Sequence, residues 1–262
     1  MTFVTRQHKL EALALEAQWQ TLVLPSKPFA LAAAIASRQN PSLPLIVYNE
    51  GDGQAFTATG EVSSDPTPEN PLALRLALID SSSNMAYLAR PCQYVLASQL
   101  SVCNPAYWST HQYAPSVISS MSNALDLLET LTGTHQLILV GYSGGGAVAT
   151  LLAERRGDVV GLVTVAANLD LTTWSRMTGH PVLDASLDPT EQAHRLGHMH
   201  QVHFTGADDI VVPSAVTDSF VGRLPIDADA TIVRMPGFDH ACCWVENWQR
   251  IKNDFLRHQF NC

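Results

Sequence analysis

Short, continuously apolar segments alternate along this chain with longer segments whose apolar residues recur at helical spacing. In the segment QLILV, residues 136–140, the four residues after Gln136 are all apolar, as expected of a strand buried on both faces of a parallel sheet. Ahead of it, residues 115–131 carry apolar side chains at helical spacing, and Gly133 follows them as a stop signal. This alternation predicts units in which each strand is followed by a crossover helix.

The same pattern predicts further elements on both sides of this pair. Strands are predicted at residues 29–36, 43–48, 85–89, 159–165, 202–205 and 231–234, and helices at 71–80, 144–156, 213–221 and 241–257. Residues 168–198 carry no strand signal and are interpreted as a small cap segment over a site. We therefore expect one α/β domain over residues 1–262, with a mostly parallel central sheet and helices on both faces.

Composition and charge narrow the classes of function. Apolar residues make up 46% of the chain and charged residues 15%. This composition is sufficient for a substantial hydrophobic core and differs from that of disordered proteins, which have few apolar and many charged residues. The net charge of −9 repels the negatively charged phosphate backbone of nucleic acids, so no nucleic-acid partner is expected. No apolar run is long enough to span a bilayer, which predicts no integral membrane segment. Charged residues interrupt the N-terminal apolar residues, so the chain as numbered is predicted to be cytoplasmic, or periplasmic if a leader was removed.

The five cysteines, at positions 92, 103, 242, 243 and 262, have no metal-ligand spacing. Cys92 and Cys103 are close enough in the chain to close a short loop as a disulfide, a bond typical of oxidising compartments. Separate reduced thiols are the alternative, since an odd number of cysteines leaves at least one thiol free. The sequence leaves both states open.

The strongest chemical signal is the turn Gly141-Tyr142-Ser143-Gly144-Gly145, which joins a predicted strand to a predicted helix. A serine nucleophile at such a turn has a strained backbone, so the positions two residues away on either side need glycine. The first N–H groups of the following helix, including that of Gly144, can bind a developing oxyanion. The pattern predicts Ser143 as a nucleophile. The alternative is a glycine-rich turn that only lets a helix pack closely on a strand.

An acid and then a histidine should follow such a serine, each after a later strand. Asp208 and Asp209 follow one strand in a glycine turn, and either could be the acid. His240 follows the next strand, where an imidazole can reach both serine and acid. Asp239 beside it is interpreted as a turn residue, or as an exposed charge that only tunes the imidazole.

Four further histidines lie close together in the sequence and are interpreted as solvated surface residues: His194, His198, His200 and His203. No carboxylate completes a zinc-binding pattern with these four residues. The sequence therefore predicts neither a metal nor an organic cofactor.

In these motifs the chain resembles the α/β-hydrolase superfamily, from residue 29 to the last helix. The acid loop of that family commonly reads G-x-x-D-x-x-V-P, and residues 206–213 match it with Asp209 in the acid position and Asp208 as runner-up. The family's histidine lies just after the last strand, as His240 does. The resemblance implies a Ser143–His240–Asp209 triad.

The chain departs from the family at the early turn that supplies a second oxyanion N–H. The family often has His-Gly there, whereas this chain has Glu50-Gly51-Asp52-Gly53. Gly51 fits the family's glycine, so the resemblance implies the Asp52 N–H as second donor, with Glu50 in place of the histidine; a plain glycine turn is the alternative. This EGDG turn and the later ARPCQY stretch, residues 89–94, resemble a bacterial subgroup of the superfamily, which implies nothing about substrate. Arg90 in that stretch is interpreted as a structural partner of Asp52 or Asp80.

The expected function is hydrolysis of a carboxylic ester, or a related acyl bond, of a small molecule through an acyl-enzyme on Ser143. Amide or peptide hydrolysis uses the same residues and stays open, as does a non-catalytic binding protein on the same fold. A lyase, dehalogenase or perhydrolase is a further alternative, although a serine at the elbow argues against the dehalogenase. Trp174, in the cap segment, either covers an acyl pocket or only packs. The sequence indicates no oligomeric state.

Overall fold

A central sheet organises the computed structural model of this chain, which describes residues 5–95, 102–183 and 185–256. Over these residues eight strands pair in the order β1-β2-β4-β3-β5-β6-β7-β8. The strands are β1 (Gln20–Leu24), β2 (Leu31–Ile35), β3 (Leu45–Asn49), β4 (Met85–Leu88), β5 (Leu137–Tyr142), β6 (Val159–Val165), β7 (His200–Gly206) and β8 (Ala230–Met235). Only the β1–β2 and β2–β4 pairs are antiparallel, so the sheet is mostly parallel, as predicted.

Helices cover both faces of this sheet. They are α1 (Lys9–Glu16), α2 (Leu72–Ile79), α3 (Pro115–Thr132), α4 (Gly144–Ala153), α5 (Leu171–Thr178), α6 (Ser214–Val221) and α7 (Trp244–Phe255), with 3₁₀ helices at Arg6–His8, Pro105–Trp108 and Pro189–Leu196. α1, α2 and α7 pack on one face, and α3, α4 and α6 on the other. No helix among the described residues combines the length and the apolar character needed to cross a membrane.

The burial of β5 explains why residues 137–140 are all apolar. Leu137 and Leu139 lie in the core on one face of the sheet, whereas Ile138 and Val140 lie in the core on the other. Successive side chains of a strand point to opposite faces, so a strand covered on both sides favours apolar residues at consecutive positions. The inference from QLILV to a central parallel strand is confirmed.

The structure differs from the predicted pattern near the N-terminus and at the ends of two helices. β1 and α1 were not predicted; β1 is an edge strand whose residues are mostly exposed, so it lacks a long apolar run. The predicted helix 144–156 ends earlier, at Ala153. The predicted helix 241–257 begins only at Trp244, because the amides of Ala241 and Cys242 donate to the Asp239 carboxylate and hold a turn there. Position 257 lies outside the described residues.

The parallel strands bring the predicted site residues to one edge of the sheet. Open parallel sheets bind ligands beyond the carboxyl ends of their strands. Glu50 follows β3 and Ser143 follows β5, whereas Asp209 and His240 come just after β7 and β8. Four separate segments of the sequence therefore converge at this edge.

Candidate active site

Ser143 lies at the turn between β5 and α4 in a backbone conformation that side-chain-bearing residues rarely adopt, with φ 52° and ψ −125°. Glycine is required around it. A Cβ at Gly141 would lie 2.3 Å from the Gly145 carbonyl oxygen, and a Cβ at Gly145 would lie 2.3 Å from the Asn49 carbonyl oxygen. The tight turn projects Ser143 away from the strand, as in a nucleophile elbow.

The serine, histidine and aspartate predicted from the sequence form one hydrogen-bonded chain. His240 Nε2 lies 3.0 Å from Ser143 Oγ, and His240 Nδ1 lies 2.9 Å from Asp209 Oδ2. The Asp209 side chain is fully buried, and its Oδ1 accepts hydrogen bonds from the amides of Val211 and Val212 at 2.9 and 2.8 Å. A histidine that donates from Nδ1 to a fixed carboxylate keeps Nε2 free to accept the serine proton.

Two other aspartates close to these three residues, Asp208 and Asp239, make no hydrogen bond with the His240 ring. Asp208 is exposed, so of the two residues left open by the sequence it is Asp209 that reaches His240. Asp239 is also exposed, and its carboxylate accepts from the backbone amides of Cys242 and Ala241 at 2.6 and 2.8 Å. These two hydrogen bonds lower the pKa of Asp239. Its interpretation as a turn residue is confirmed, whereas an effect of its charge on the imidazole stays a prediction.

Tyr142, the residue before the serine, contacts both the early turn and the histidine loop, and the motif did not predict these contacts. Its hydroxyl donates to the His240 carbonyl oxygen at 3.1 Å, and its ring lies against Gly51, where an added Cβ would be 3.1 Å from the ring. Burial, together with the negative charges of Glu50 and Asp209, raises its pKa above the ordinary value. The neutral tyrosine thus packs between the early turn and the histidine loop.

The turn after β3 lies directly beside the start of α4. A Cβ on Gly144 would be 2.0 Å from Asp52 Oδ1, so the Asp52 carboxylate lies against the Gly144 backbone. Asp52 pairs with Arg90 at 2.9 Å and accepts from the Tyr113 hydroxyl at 3.3 Å, which confirms Arg90 as a partner of Asp52. The Arg90 guanidinium also lies over the Tyr113 ring, 5.2 Å from its centroid. This positive charge offsets the carboxylate next to Gly144.

Glu50 is buried beneath the same turn. Its Oε1 accepts from the amides of Gly51 at 3.0 Å and Ala73 at 3.3 Å; its Oε2 accepts from the Leu74 amide at 3.3 Å and the Tyr87 hydroxyl at 3.1 Å. Burial raises its pKa from 4.5 to about 7, although all four hydrogen bonds oppose that shift. The carboxylate therefore joins the turn to the first amides of α2 and to β4.

A cleft of about 450 Å³ opens beside Ser143 and His240. Phe56, Trp174 and Val211 contribute apolar surface to it. The Trp174 indole donates to the Val211 carbonyl oxygen at 2.8 Å and stacks on the His180 ring with centroids 4.7 Å apart. Asp52 and Glu69 also line the cleft, whereas none of its lining residues, within the described part of the chain, is lysine or arginine.

The histidine cluster is only partly on the surface. His194 and His198 are exposed, but His203 is fully buried on β7, with Nδ1 2.9 Å from the Thr164 hydroxyl. The prediction of solvated surface was wrong for His203, because β7 is an inner strand between β6 and β8. Burial lowers the pKa of His203 to about 3.

An acidic cluster elsewhere surrounds Arg156 and forms ion pairs with it; its members are Asp126, Glu129 and Asp158.

The structure pairs Cys92 with Cys103 in a disulfide, one of the two states that the sequence left open. Cys242 and Cys243, just after His240, are also paired. Cys262 lies outside the described residues.

No family model and no curated protein matches the chain, but solved structures match it over most of its length. Est1E from Butyrivibrio proteoclasticus superposes with a TM-score of 0.65 at 12% identity, covering 92% of this chain and 99% of its own. The α/β hydrolase GrgF from a Penicillium species gives 0.63 at 12% identity, over 93% and 99% of the two chains. An acylaminoacyl peptidase from Pyrococcus horikoshii gives 0.64 at 11% identity, over 85% of this chain and 37% of its own. This likeness identifies the fold of the chain as the α/β-hydrolase fold.

Proposed function

We propose that the protein hydrolyses a carboxylic ester of a small molecule through an acyl-enzyme on Ser143. The observation that supports this most is the hydrogen-bonded chain Ser143–His240–Asp209, which ends at a strained serine beside an open cleft. The solved structures that share the fold include hydrolases. Neither a metal ion nor an organic cofactor takes part in the proposed reaction.

In the first half of the reaction, His240 Nε2 takes the proton of Ser143 Oγ as that oxygen bonds to the ester carbonyl carbon. The carbonyl π electrons move onto its oxygen, which becomes an oxyanion. His240 then protonates the leaving alkoxide as the carbon–oxygen bond breaks, and the alcohol departs. Throughout, the buried Asp209 carboxylate orients the ring and stabilises the imidazolium.

The amides of Gly144 and Asp52 are the proposed donors to the oxyanion. Neither N–H has an acceptor among the residues that the structure describes, and the two residues are in contact. Loss of one such donor typically slows the reaction by roughly 100- to 1,000-fold. In the second half, water loses a proton to His240 and attacks the acyl carbon, and the proton returns to Ser143 as the acid leaves.

The cleft supports an uncharged ester rather than an anionic substrate. Its lining combines apolar side chains with Asp52 and Glu69 and, within the described residues, contains no lysine or arginine to bind a substrate carboxylate. Residues 168–198 are proposed as the cap of one domain spanning residues 1–262, since Trp174 and His180 of this segment line the cleft. Amide hydrolysis would use the same residues, and the peptidase with the same fold keeps it as the second candidate.

Fluorophosphonate labelling and turnover of short-chain p-nitrophenyl esters test this proposal. Wild-type protein should be labelled and should turn over the esters. Ser143→Ala should lose both, whereas Ser64→Ala, which changes an exposed serine, should keep both. Absence of labelling in folded wild-type protein would overturn the proposal in favour of a binding protein. Labelling with turnover of aryl amides but not esters would favour the amide candidate.

A further inference from the structure

The Asp52 amide follows a glycine, which allows many backbone conformations, so something must fix its direction. The peptide bond between Gly51 and Asp52 is trans. In a planar trans peptide the carbonyl of one residue and the N–H of the next point in opposite directions. A group that holds the Gly51 carbonyl therefore also aims the Asp52 N–H.

Gln93 holds that carbonyl. Its side-chain Nε2 donates to the Gly51 carbonyl oxygen at 3.0 Å, and its Oε1 accepts from the Arg90 amide at 3.1 Å. The residue is 1% exposed, so water does not compete for these bonds. Since Arg90 also pairs with the Asp52 carboxylate, the same segment contacts the backbone before Asp52 and the side chain of Asp52.

The other side of Gly51 is held as well. Its amide donates to the Glu50 carboxylate at 3.0 Å, and that carboxylate is itself fixed by α2 and β4. Gly53, two residues later, has φ +64°, and a Cβ there would lie 2.8 Å from Gln93 Nε2 and 2.1 Å from the Pro66 carbonyl oxygen. The turn is therefore packed closely around the glutamine.

The chain around Gln93 has a constrained conformation of its own. Cys92 and Tyr94, on either side of it, both have positive φ, 69° and 56°. Cys92 is joined to Cys103, and the Tyr94 amide donates to the Thr67 hydroxyl at 3.0 Å. These constraints on both neighbours hold Gln93 where its side chain reaches the Gly51 carbonyl.

We propose that Gln93 is a positioning residue for the oxyanion hole: by holding the Gly51 carbonyl it aims the Asp52 N–H at the oxyanion. This inference rests on the proposed function. Gln93 does not line the cleft beside Ser143, so it acts through the backbone of the turn. Its loss should weaken binding of the transition state while leaving binding of the ground-state ester largely unchanged.

The test compares Gln93→Leu with Gln201→Leu. Gln201 is equally buried and donates to the Leu196 carbonyl oxygen at 2.9 Å, but it lies at the amino-terminal end of β7, away from the site. Gln93→Leu should lower kcat for p-nitrophenyl esters and the rate of fluorophosphonate labelling by about 10- to 100-fold, with KM within about twofold. Gln201→Leu should lower the melting temperature but keep both rates.

A second variant keeps the test valid if Gln93→Leu fails to fold. Gln93→Met keeps an unbranched side chain of similar length and has no donor for the Gly51 carbonyl, so it should show the same loss of kcat. If either folded variant keeps kcat and the labelling rate within about twofold of the wild-type values, the inference is overturned while the proposed function stands. If folded wild-type protein is not labelled, the proposed function fails and the inference fails with it.

Discussion

The two amides proposed to bind the oxyanion are held in different ways. Gly144 is the first residue of α4, and its position follows from the strand, the strained serine and the glycines around it, all within residues 137–153. Asp52 belongs to a turn that is held by residues distant in the chain: Gln93 binds the preceding carbonyl, Glu50 joins the turn to α2, and Arg90 pairs with the side chain.

This difference shows how one site can combine a local and a non-local half. The local half needs a fixed backbone with no room for side chains, so its sequence has a recognisable spacing of glycines. The non-local half needs only that some buried donor reaches the Gly51 carbonyl, and many sequences could provide one. We therefore expect substitutions in the first half to act mainly by steric clash, and substitutions in the second half to act through lost hydrogen bonds and charge.

The largest effect should come from the local half. In Gly141→Ala the new Cβ would lie 2.3 Å from the Gly145 carbonyl oxygen and 2.5 Å from Gly146 Cα, and neither backbone atom can move easily. We expect the free energy of unfolding to fall by roughly 3 kcal/mol, with loss of turnover. Urea unfolding measures the first effect. Gly157→Ala is the control, since a Cβ there meets no atom within 4 Å. Wild-type stability in Gly141→Ala would contradict the steric account.

Glu50 should make stability depend on pH. Its pKa is raised from 4.5 to about 7, so between these pH values the folded state keeps a proton that the unfolded state releases. The contribution of Glu50 to stability is therefore greatest below pH 4.5 and declines as the pH rises to about 7. Relative to Glu50→Gln, the wild-type free energy of unfolding should fall by roughly 3 kcal/mol across this window.

Urea unfolding of both proteins at several pH values measures this difference. The tyrosines near Glu50, Tyr87, Tyr94 and Tyr142, all have raised pKa values and stay neutral over the window. A difference between the two proteins that does not change with pH would show that the Glu50 carboxyl has the same pKa in the folded and unfolded states.

Removal of the Cys92–Cys103 disulfide should loosen the non-local half. The bond spans 11 residues of sequence, and loops of this size are associated with about 2 to 3 kcal/mol of stabilisation. We expect Cys92→Ser with Cys103→Ser to lower the melting temperature and kcat together, since Gln93 loses its support. In a protein that already carries Gln93→Leu, the two cysteine substitutions should lower the stability but leave kcat unchanged. An equal loss of kcat in both backgrounds would show that the disulfide acts independently of Gln93.

The smallest effect should come from Arg90→Met, which keeps an unbranched apolar side chain but removes the charge beside Asp52. The Asp52 carboxylate would then stand uncompensated next to Gly144 and oppose the oxyanion. We expect kcat/KM for esters to fall by about tenfold, which corresponds to about 1.4 kcal/mol. Adding Asp52→Asn should restore part of it. A double variant that is no better than Arg90→Met would show that Arg90 acts only by packing.

The amino-acid sequence by itself determined the features that depend on short-range constraints. The apolar residues of QLILV predicted a strand buried on both faces, and the glycines around Ser143 predicted a tight turn, because each feature leaves a recognisable pattern in a few consecutive residues. The order of serine, acid and histidine along the chain predicted residues that the structure brings within hydrogen-bonding distance. The edge strand β1 had no such pattern, because it is buried too little to require one.

The tertiary structure decided what depends on contacts between distant segments. Asp208 and Asp209 are adjacent in sequence, and the bend after β7 turns only Asp209 toward His240. His203 lies in the predicted strand 202–205, unlike the exposed His194 and His198, but its burial comes from the strands on either side of β7. Gln93 is likewise 42 residues from Gly51 in the chain. A hydrogen bond over such a distance leaves no spacing in the sequence, because it requires only that the fold bring the two groups together.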